Sequence, residues 1–274
     1  MTCACRLHLK MTVHSTSPER YVSASNGPIS ISAGGSPATN PHATLQGAEK
    51  VQYVRGMFGR IARRYDLMNM LMSFGQDRLW RAFTVRQAAA KPGDLALDVA
   101  TGTGRIAHEL AGKGARSVGI DFSLPMMLEG RRGGVGKDLP VHFVGADALS
   151  LPFGDDVFDC VTTGFAMRNV ADIEGAFREM RRVLKPGGRL VCLEVGRPRL
   201  AITRLFHHIY TRKVVPLLGK VVAGDSDAYS YLPSSMGKFP SPPRLAGIMR
   251  SAGLRDVRFR QLTLGAVAVH TGTK

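Results

Sequence analysis

The pattern of apolar and polar positions divides the chain near residue 48. Residues 1–48 are rich in Ser, Thr, Pro and Gly and follow neither a helical nor a strand period. Too little of this stretch is apolar to offset the entropy of ordering it, so a disordered or processed tail is expected. From residue 51 the pattern changes. Val54, Met57, Phe58, Ile61 and Tyr65 recur at helical spacing, followed by Leu67, Met70 and Leu71. That spacing predicts two amphipathic helices or one broken helix. Residues 79–90 read as a further helix, which Lys91-Pro92-Gly93-Asp94 turns.

Strands and helices then alternate. Short apolar runs at 95–100, 116–121, 141–147, 158–166 and 189–196 read as strands. The intervening helices run from Arg105 to Gly112 or Gly114, from Ser123 (its expected N-cap) to Arg131, and over 171–184. Lys185-Pro186-Gly187-Gly188 closes the last of these. A helix at about 242–252 stops at Gly253, and 256–262 with 265–272 form an antiparallel pair. The fold class is therefore α/β: a mostly parallel seven-stranded sheet with helices on both faces and an antiparallel strand at its end.

Composition narrows the setting. Hydrophobic residues make up 44% of 274 residues, enough for a proper core. No run of 18 or more uncharged apolar residues occurs, which argues against a membrane-spanning helix. The net charge is +16, of which the tail (Arg6, Lys10, Arg20 against Glu19) carries +2 and the body +14. Such a charge favours anionic partners without choosing among them. Cys3, Cys5, Cys160 and Cys192 form neither a disulfide framework nor a zinc ligand set, which fits a reducing compartment. The tail is Ser-rich and acid-poor like an organelle transit peptide. Its few arginines and lack of a basic amphipathic helix rank that reading below a disordered extension, and a cytoplasmic location is expected.

The chemistry begins where the first strand runs through Asp98-Val99-Ala100-Thr101-Gly102-Thr103-Gly104 into a helix. Strand, glycine turn and helix bring backbone N–H groups close to a ligand at the carboxyl edge of a sheet. A P-loop is excluded, since no Gly-Lys-Ser/Thr follows, and a dinucleotide fingerprint would want glycine at Ala107. Asp121 ends the second strand, where a carboxylate can accept both hydroxyls of a ribose. Asp147 follows the third strand, within reach of an adenine amino group. Singly each acid reads as a helix cap, Asp121 above all; three at successive strand ends beside one glycine turn read as a nucleoside site.

On these residues the chain resembles class I S-adenosylmethionine-dependent methyltransferases: Asp98-x-Ala-x-Gly102-x-Gly104, Asp121, Asp147 and the Leu-Lys-Pro-Gly-Gly segment from Leu184 to Gly188. More narrowly, it resembles the quinone-biosynthesis C-methyltransferases that make menaquinone and ubiquinone. That match is carried by Phe58-x-x-Ile61-Ala62-x-x-Tyr65-Asp66-x-Met68-Asn69, Leu71 to Gly75, Arg78-x-Trp80-Arg81, Phe165 to Val170, and Tyr229-x-Tyr231-Leu232-Pro233-x-Ser235. It spans about 51 to 270. The resemblance implies one methyltransferase domain over 49–274, with 49–91 as a helical lid. It places the donor, S-adenosylmethionine, on Thr103, Asp121, Asp147 and Ala148, beside Asp98, Gly102, Gly104 and Gly164. Many relatives carry serine at Gly164; glycine occurs in those acting on naphthoquinones, a weak lean towards demethylmenaquinol over a ubiquinone precursor.

The implied acceptor is a polyprenylated quinol. Its ring carbon becomes nucleophilic once a ring hydroxyl loses its proton, so the protein must exclude water and manage that proton. Arg168 and Asn169 after the fourth strand, with Tyr65, Asp66 and Asn69 on the lid, are the candidate catalytic residues. The base is left open among Asp66, Tyr65, His207 and a bound water, and the plain alternatives are a capping Asn beside a surface Arg and an ordinary helix end. Residues 199–222, apolar with Arg204, His207, His208, Arg212, Lys213 and Lys220, suit a prenyl tail and peripheral contact at the inner face of a membrane, or a plain basic cap helix. No metal is expected, because adjacent histidines diverge on a helix. No nucleic acid is expected either: Thr163-Gly164-Phe165-Ala166 is unlike an amino-methylating Asn/Asp-Pro-Pro-Tyr/Phe motif, and no RNA-binding module appears. Methylation of another lipid stays as an alternative, and a homo-oligomer stays open.

Overall fold

The computed structural model describes residues 47–132, 141–198, 210, 214–215, 231 and 235–274. Helix α1 (Gly47–Met72) leads into α2 (Gln76–Ala88). The alternating body follows: β1 (Leu95–Val99), α3 (Arg105–Ala111), β2 (Arg116–Asp121), α4 (Leu124–Arg132), β3 (Val141–Gly145), β4 (Phe158–Gly164), α5 (Ile173–Val183) and β5 (Leu184–Val195). Helix α6 (Pro242–Ser251), β6 (Arg255–Leu262) and β7 (Val267–Thr273) complete it.

The seven strands form one sheet in the order β3-β2-β1-β4-β5-β7-β6. β7 runs antiparallel to both β5 and β6, and the other pairings are parallel. Helices cover both faces. Phe177, Met180 and Val183 of α5, with Leu245 and Met249 of α6, close one face; Val85 and Ala88 of α2 with Ile106 and Leu110 of α3 close the other. α5 shows why it lies there: Ala176, Phe177, Met180 and Val183 fall on one stripe and are fully buried. Deleting a side chain such as Phe177 would cost about 3–5 kcal/mol.

Three expectations are corrected. The run from residue 51 is neither two helices nor a broken one but a single 26-residue helix, α1. Its apolar stripe stays in phase from Val54 and Met57 through Ile61 to Met68, which pack with Val215 and Tyr231. Ser123 precedes α4, but its hydroxyl, buried, has no hydrogen-bond partner; the local bond is donated by the Ser123 N–H to Asp121 Oδ1 at 2.8 Å. The segment Leu184 to Gly188 is no loop between helix and strand. It is the first part of a long β5, irregular in register against β4.

The strand order places the site. β1 pairs with β2 on one side and β4 on the other, so the connections leave β1 and β4 in opposite directions and open a crevice at their carboxyl ends. Both strands end there in a non-glycine residue with positive φ, Ala100 at 55° and Phe165 at 57°. Such backbone costs on the order of 1 kcal/mol or more and persists where the surroundings enforce it, commonly at ligand sites.

Candidate active site

The donor side of the crevice starts with Asp98, buried in β1 opposite Thr162 of β4. Its Oδ1 accepts from Thr162 Oγ1 at 2.7 Å and its Oδ2 from Thr101 Oγ1 at 2.6 Å. Burial pushes the carboxyl up to about 6, against the two hydroxyls, which pull it down. Asp121 does the same work one strand over. Its Oδ2 accepts from the Gly102 N–H at 2.7 Å and its Oδ1 from Ser123 N–H, fixing the glycine turn to β2. Burial raises this carboxyl too. Each oxygen keeps a lone pair for a ligand hydroxyl.

Gly104 cannot carry a side chain: its φ is 76°, and a Cβ would lie 2.6 Å from the Phe143 ring. Gly164 has an ordinary backbone and is limited only by the flexible end of Ile106. A Cβ there would lie 2.7 Å from Ile106 Cδ1, so a serine would require the end of the Ile106 side chain to shift. Asp147 is exposed, bonds the Leu149 N–H at 2.9 Å, and shares a cavity with Asp121, Ala148, Gly102 and Gly164. Phe122, Met126 and Leu149 supply its apolar walls, and Val54, Phe58 and Tyr65 of α1 its roof. Two carboxylates, exposed glycine backbone and an apolar slot fit the ribose and adenine of S-adenosylmethionine.

The acceptor side is built differently. Phe165 walls both the donor cavity and an apolar cavity of about 570 Å³ bordered by Met72, Trp80, Val195, Met236 and Val267. Between them lies a junction lined by Tyr65, Asn69, Arg168 and Asn169. The Arg168 side chain is 7% exposed and pairs with the fully buried Glu194, Nη1 to Oε2 at 3.3 Å; its Cζ lies 5.8 Å from the Phe165 ring centre. Three buried atoms here, Arg168 Nε, Asn69 Nδ2 and Asn169 Oδ1, have no hydrogen-bond partner.

Of the expected residues, Tyr65, Asn69, Arg168, Asn169, Asp98, Gly102, Thr103, Asp121, Asp147, Ala148 and Gly164 line these adjoining cavities, with Tyr65 lining the donor cavity, the junction and a small cavity beside Asp98. The structure gives Asp66 a different place from that of a free base. Its carboxylate accepts from Thr103 Oγ1 and from Arg105 Nε, each at 2.9 Å, so it latches α1 onto the glycine turn. Thr103 accordingly spends its hydroxyl proton on Asp66. Glu194 was not singled out from the sequence, and Phe165 entered only within the Phe165 to Val170 stretch that carries the resemblance; for Glu194, an acid inside the apolar strand Leu190 to Val195 was the available signal. His207 and most of 199–222 lie outside the described residues. Among the described residues, no group of three or more His, Cys, Asp or Glu could hold a metal, and no helix is long and apolar enough to cross a membrane.

The model of the ubiE/COQ5 methyltransferase family matches residues 46–274. The chain belongs to that family. It is 49% identical over 228 residues to a demethylmenaquinone methyltransferase of Roseiflexus castenholzii, covering 82% of this chain and 95% of the relative. It is 41% identical over 240 residues to a ubiquinone/menaquinone biosynthesis C-methyltransferase of Teredinibacter turnerae, covering 84% and 95%. A solved SAM-dependent methyltransferase from Thermotoga maritima superimposes with a TM-score of 0.57 at 22% identity, covering 80% of this chain and 98% of that one, which shows the shared fold. The chain is a methyltransferase with S-adenosylmethionine as methyl donor.

Proposed function

We propose that this enzyme methylates a ring carbon of a reduced, prenylated quinone, with demethylmenaquinol as the acceptor. The family and the relatives' names support quinol C-methylation; one observation ties it to this chain's own residues. Three buried polar atoms without partners among the described residues, two donors and one acceptor, belong to residues of a small cavity that shares Asn169 with the donor cavity and Asn69 and Arg168 with the large apolar cavity. A buried polar atom left unmatched costs about 1–3 kcal/mol, so such a cluster points to a ligand that completes it. A hydroquinone does: an oxygen losing its proton takes the bonds from Arg168 Nε and Asn69 Nδ2, and a ring hydroxyl donates to Asn169 Oδ1. The apolar cavity suits the ring and the first prenyl units.

Bound against Asp98, Gly102, Asp121, Asp147 and Ala148, S-adenosylmethionine supplies an electrophilic methyl group. Arg168 stabilises negative charge on the ring oxygen, and Glu194 fixes its guanidinium. The apolar walls exclude water, which would otherwise stabilise the separated charges and raise the barrier. Tyr65, shared by donor cavity and junction, is placed to pass the ring proton to solvent; Asp66, held by Thr103 and Arg105, is not.

The test is label transfer from methyl-labelled S-adenosylmethionine to chemically reduced demethylmenaquinol, to a demethylated benzoquinol and to bulk RNA, side by side. Fastest labelling of the naphthoquinol is expected. Faster labelling of the benzoquinol would reassign the acceptor, and label in RNA alone, or none despite donor binding, would overturn quinol methylation.

A further inference from the structure

We infer that the mouth of the apolar cavity is a docking surface for an anionic lipid bilayer; this rests on the quinol reading above. Three large apolar side chains stand out from the surface: Phe74 is 75% exposed, Leu79 69% and Leu264 76%. They form one patch. Trp80 Nε1 donates to Thr263 Oγ1 at 2.8 Å, and that hydroxyl donates to Gln76 Oε1 at 2.8 Å, so the start of α2 is fastened to the β6–β7 corner. Phe74 and Leu264 also border the cavity, and both have a left-handed backbone, φ 52° and 53°. A bulky residue in that region is strained; here two are held there with their side chains facing water.

Among the described residues, the exposed charges on α2 and on β6 from Val257 onward are all basic. Arg78 and Arg86 are exposed on α2 and Arg260 is exposed on β6; Arg86 and Arg260 each lie 5.5 Å from the Phe83 ring centre. The one acid of α2, Asp77, is buried and paired with Arg81 at 2.7 Å, and no acid occurs from Val257 to Lys274. Insertable apolar side chains ringed by arginines match an interface of anionic headgroups over acyl chains. They do not match a second copy of this chain, because a two-fold contact through the patch would set the arginines against themselves. A prenylated acceptor could then pass from bilayer to cavity without exposing its tail to water.

The experiment is co-sedimentation of the full chain with vesicles of phosphatidylglycerol and phosphatidylcholine, and with phosphatidylcholine alone, without quinol. Wild type should partition onto the anionic vesicles. Arg78→Gln/Arg86→Gln/Arg260→Gln should bind them at least tenfold more weakly, as expected for several arginines each contributing about 1 kcal/mol. Leu79→Ser should weaken binding several-fold. None of these four residues lines the cavity, so methylation of a short-chain, water-soluble quinol and the melting temperature should stay at wild-type values. Wild type failing to bind, or the triple variant binding as well as wild type, would overturn the surface. So would a dimer in sedimentation velocity that the triple variant dissolves, which would assign the patch to a second copy. Absence of short-chain methylation alongside arginine-dependent vesicle binding would refute the quinol reading and leave the lipid surface standing.

Discussion

The two halves of the crevice satisfy their polar groups in opposite ways. On the donor side, Asp98 and Asp121 sit in the sheet with every carboxylate oxygen already bonded, to Thr101, Thr162, Gly102 and Ser123. On the acceptor side, Arg168 Nε, Asn69 Nδ2 and Asn169 Oδ1 are buried and unmatched. The donor-side carboxylates are therefore paired as folded, although the buried Ser123 and Thr163 hydroxyls beside them are not, and the bonds of Asp121 already hold the glycine turn. The acceptor half carries an unfavourable term that the right ligand removes, and a ligand lacking two suitably placed oxygens does not. On the proposed reading, affinity for the donor comes from a prebuilt frame, and discrimination among acceptors from an incomplete one.

Replacing Arg168 should separate the halves most sharply. Arg168→Gln removes the charge facing the ring oxygen and should lower kcat by about 10³-fold while the donor Kd stays within about twofold. It also strands Glu194, which is fully buried, so a loss of about 3–5 kcal/mol in stability is expected by denaturant titration. Arg168→Lys keeps a charge for Glu194 but lacks Nε–H, and should lose less in both measurements. A matching rise in donor Kd would mean the halves are not independent. The converse variant is Asp121→Ala, which removes the acceptor of the Gly102 N–H and, on the proposed reading, a ribose partner. Donor Kd measured by calorimetry should rise about 10²-fold, at about 3 kcal/mol for the lost charged hydrogen bonds, with kcat at saturating donor changed far less.

The donor half was the more legible in the sequence for a physical reason. Its residues follow one another at strand ends, so Asp98, Gly102, Gly104, Asp121 and Asp147 declare themselves through local spacing. The strand alternation that sets the sheet is likewise local. The acceptor half is assembled across the fold: Arg168 meets Glu194 from another strand, and Asn69 arrives on the lid. The family resemblance marked Arg168, Asn169 and Asn69, but Glu194 belongs to no such motif and was missed. Pairing across 26 residues leaves no periodic trace. Asp66 was marked, but its partners were not legible for the same reason, since only three-dimensional structure brings Arg105 and Thr103 to it.

The donor half also has a pH signature. With its carboxyl pushed up to about 6, Asp98 is protonated below that pH and anionic above it. Donor affinity should be flat above pH 6 and weaken by up to tenfold per unit below it, and Asp98→Asn should flatten that profile in calorimetry. The stability effect has the opposite slope. The folded state holds the proton more tightly than the unfolded chain, so Asp98's contribution falls as pH rises from about 4 to 6 and is constant beyond. Opposite slopes for affinity and stability in wild type, both lost in the variant, would assign the titration to this residue.

The smallest expected effect tests the join between the halves. Asp66 fastens the lid, which carries Tyr65 and Asn69, to the glycine turn that carries Thr103. The Asp66–Arg105 pair is partly exposed, with side chains 28% and 27% accessible, so solvent screens it and it contributes no more than about 1 kcal/mol. Asp66→Asn can keep the Thr103 bond through its carbonyl and loses only the charge. It should raise the donor KM two- to fivefold, less at high salt where the wild-type pair is already weakened, and leave the pH profile of kcat unchanged. A base would behave otherwise: Asp66→Asn would then lower kcat by about 10²-fold or more and remove one limb of the pH–rate profile. The size of kcat loss in this one variant therefore decides whether Asp66 holds the two halves together or belongs to the acceptor chemistry.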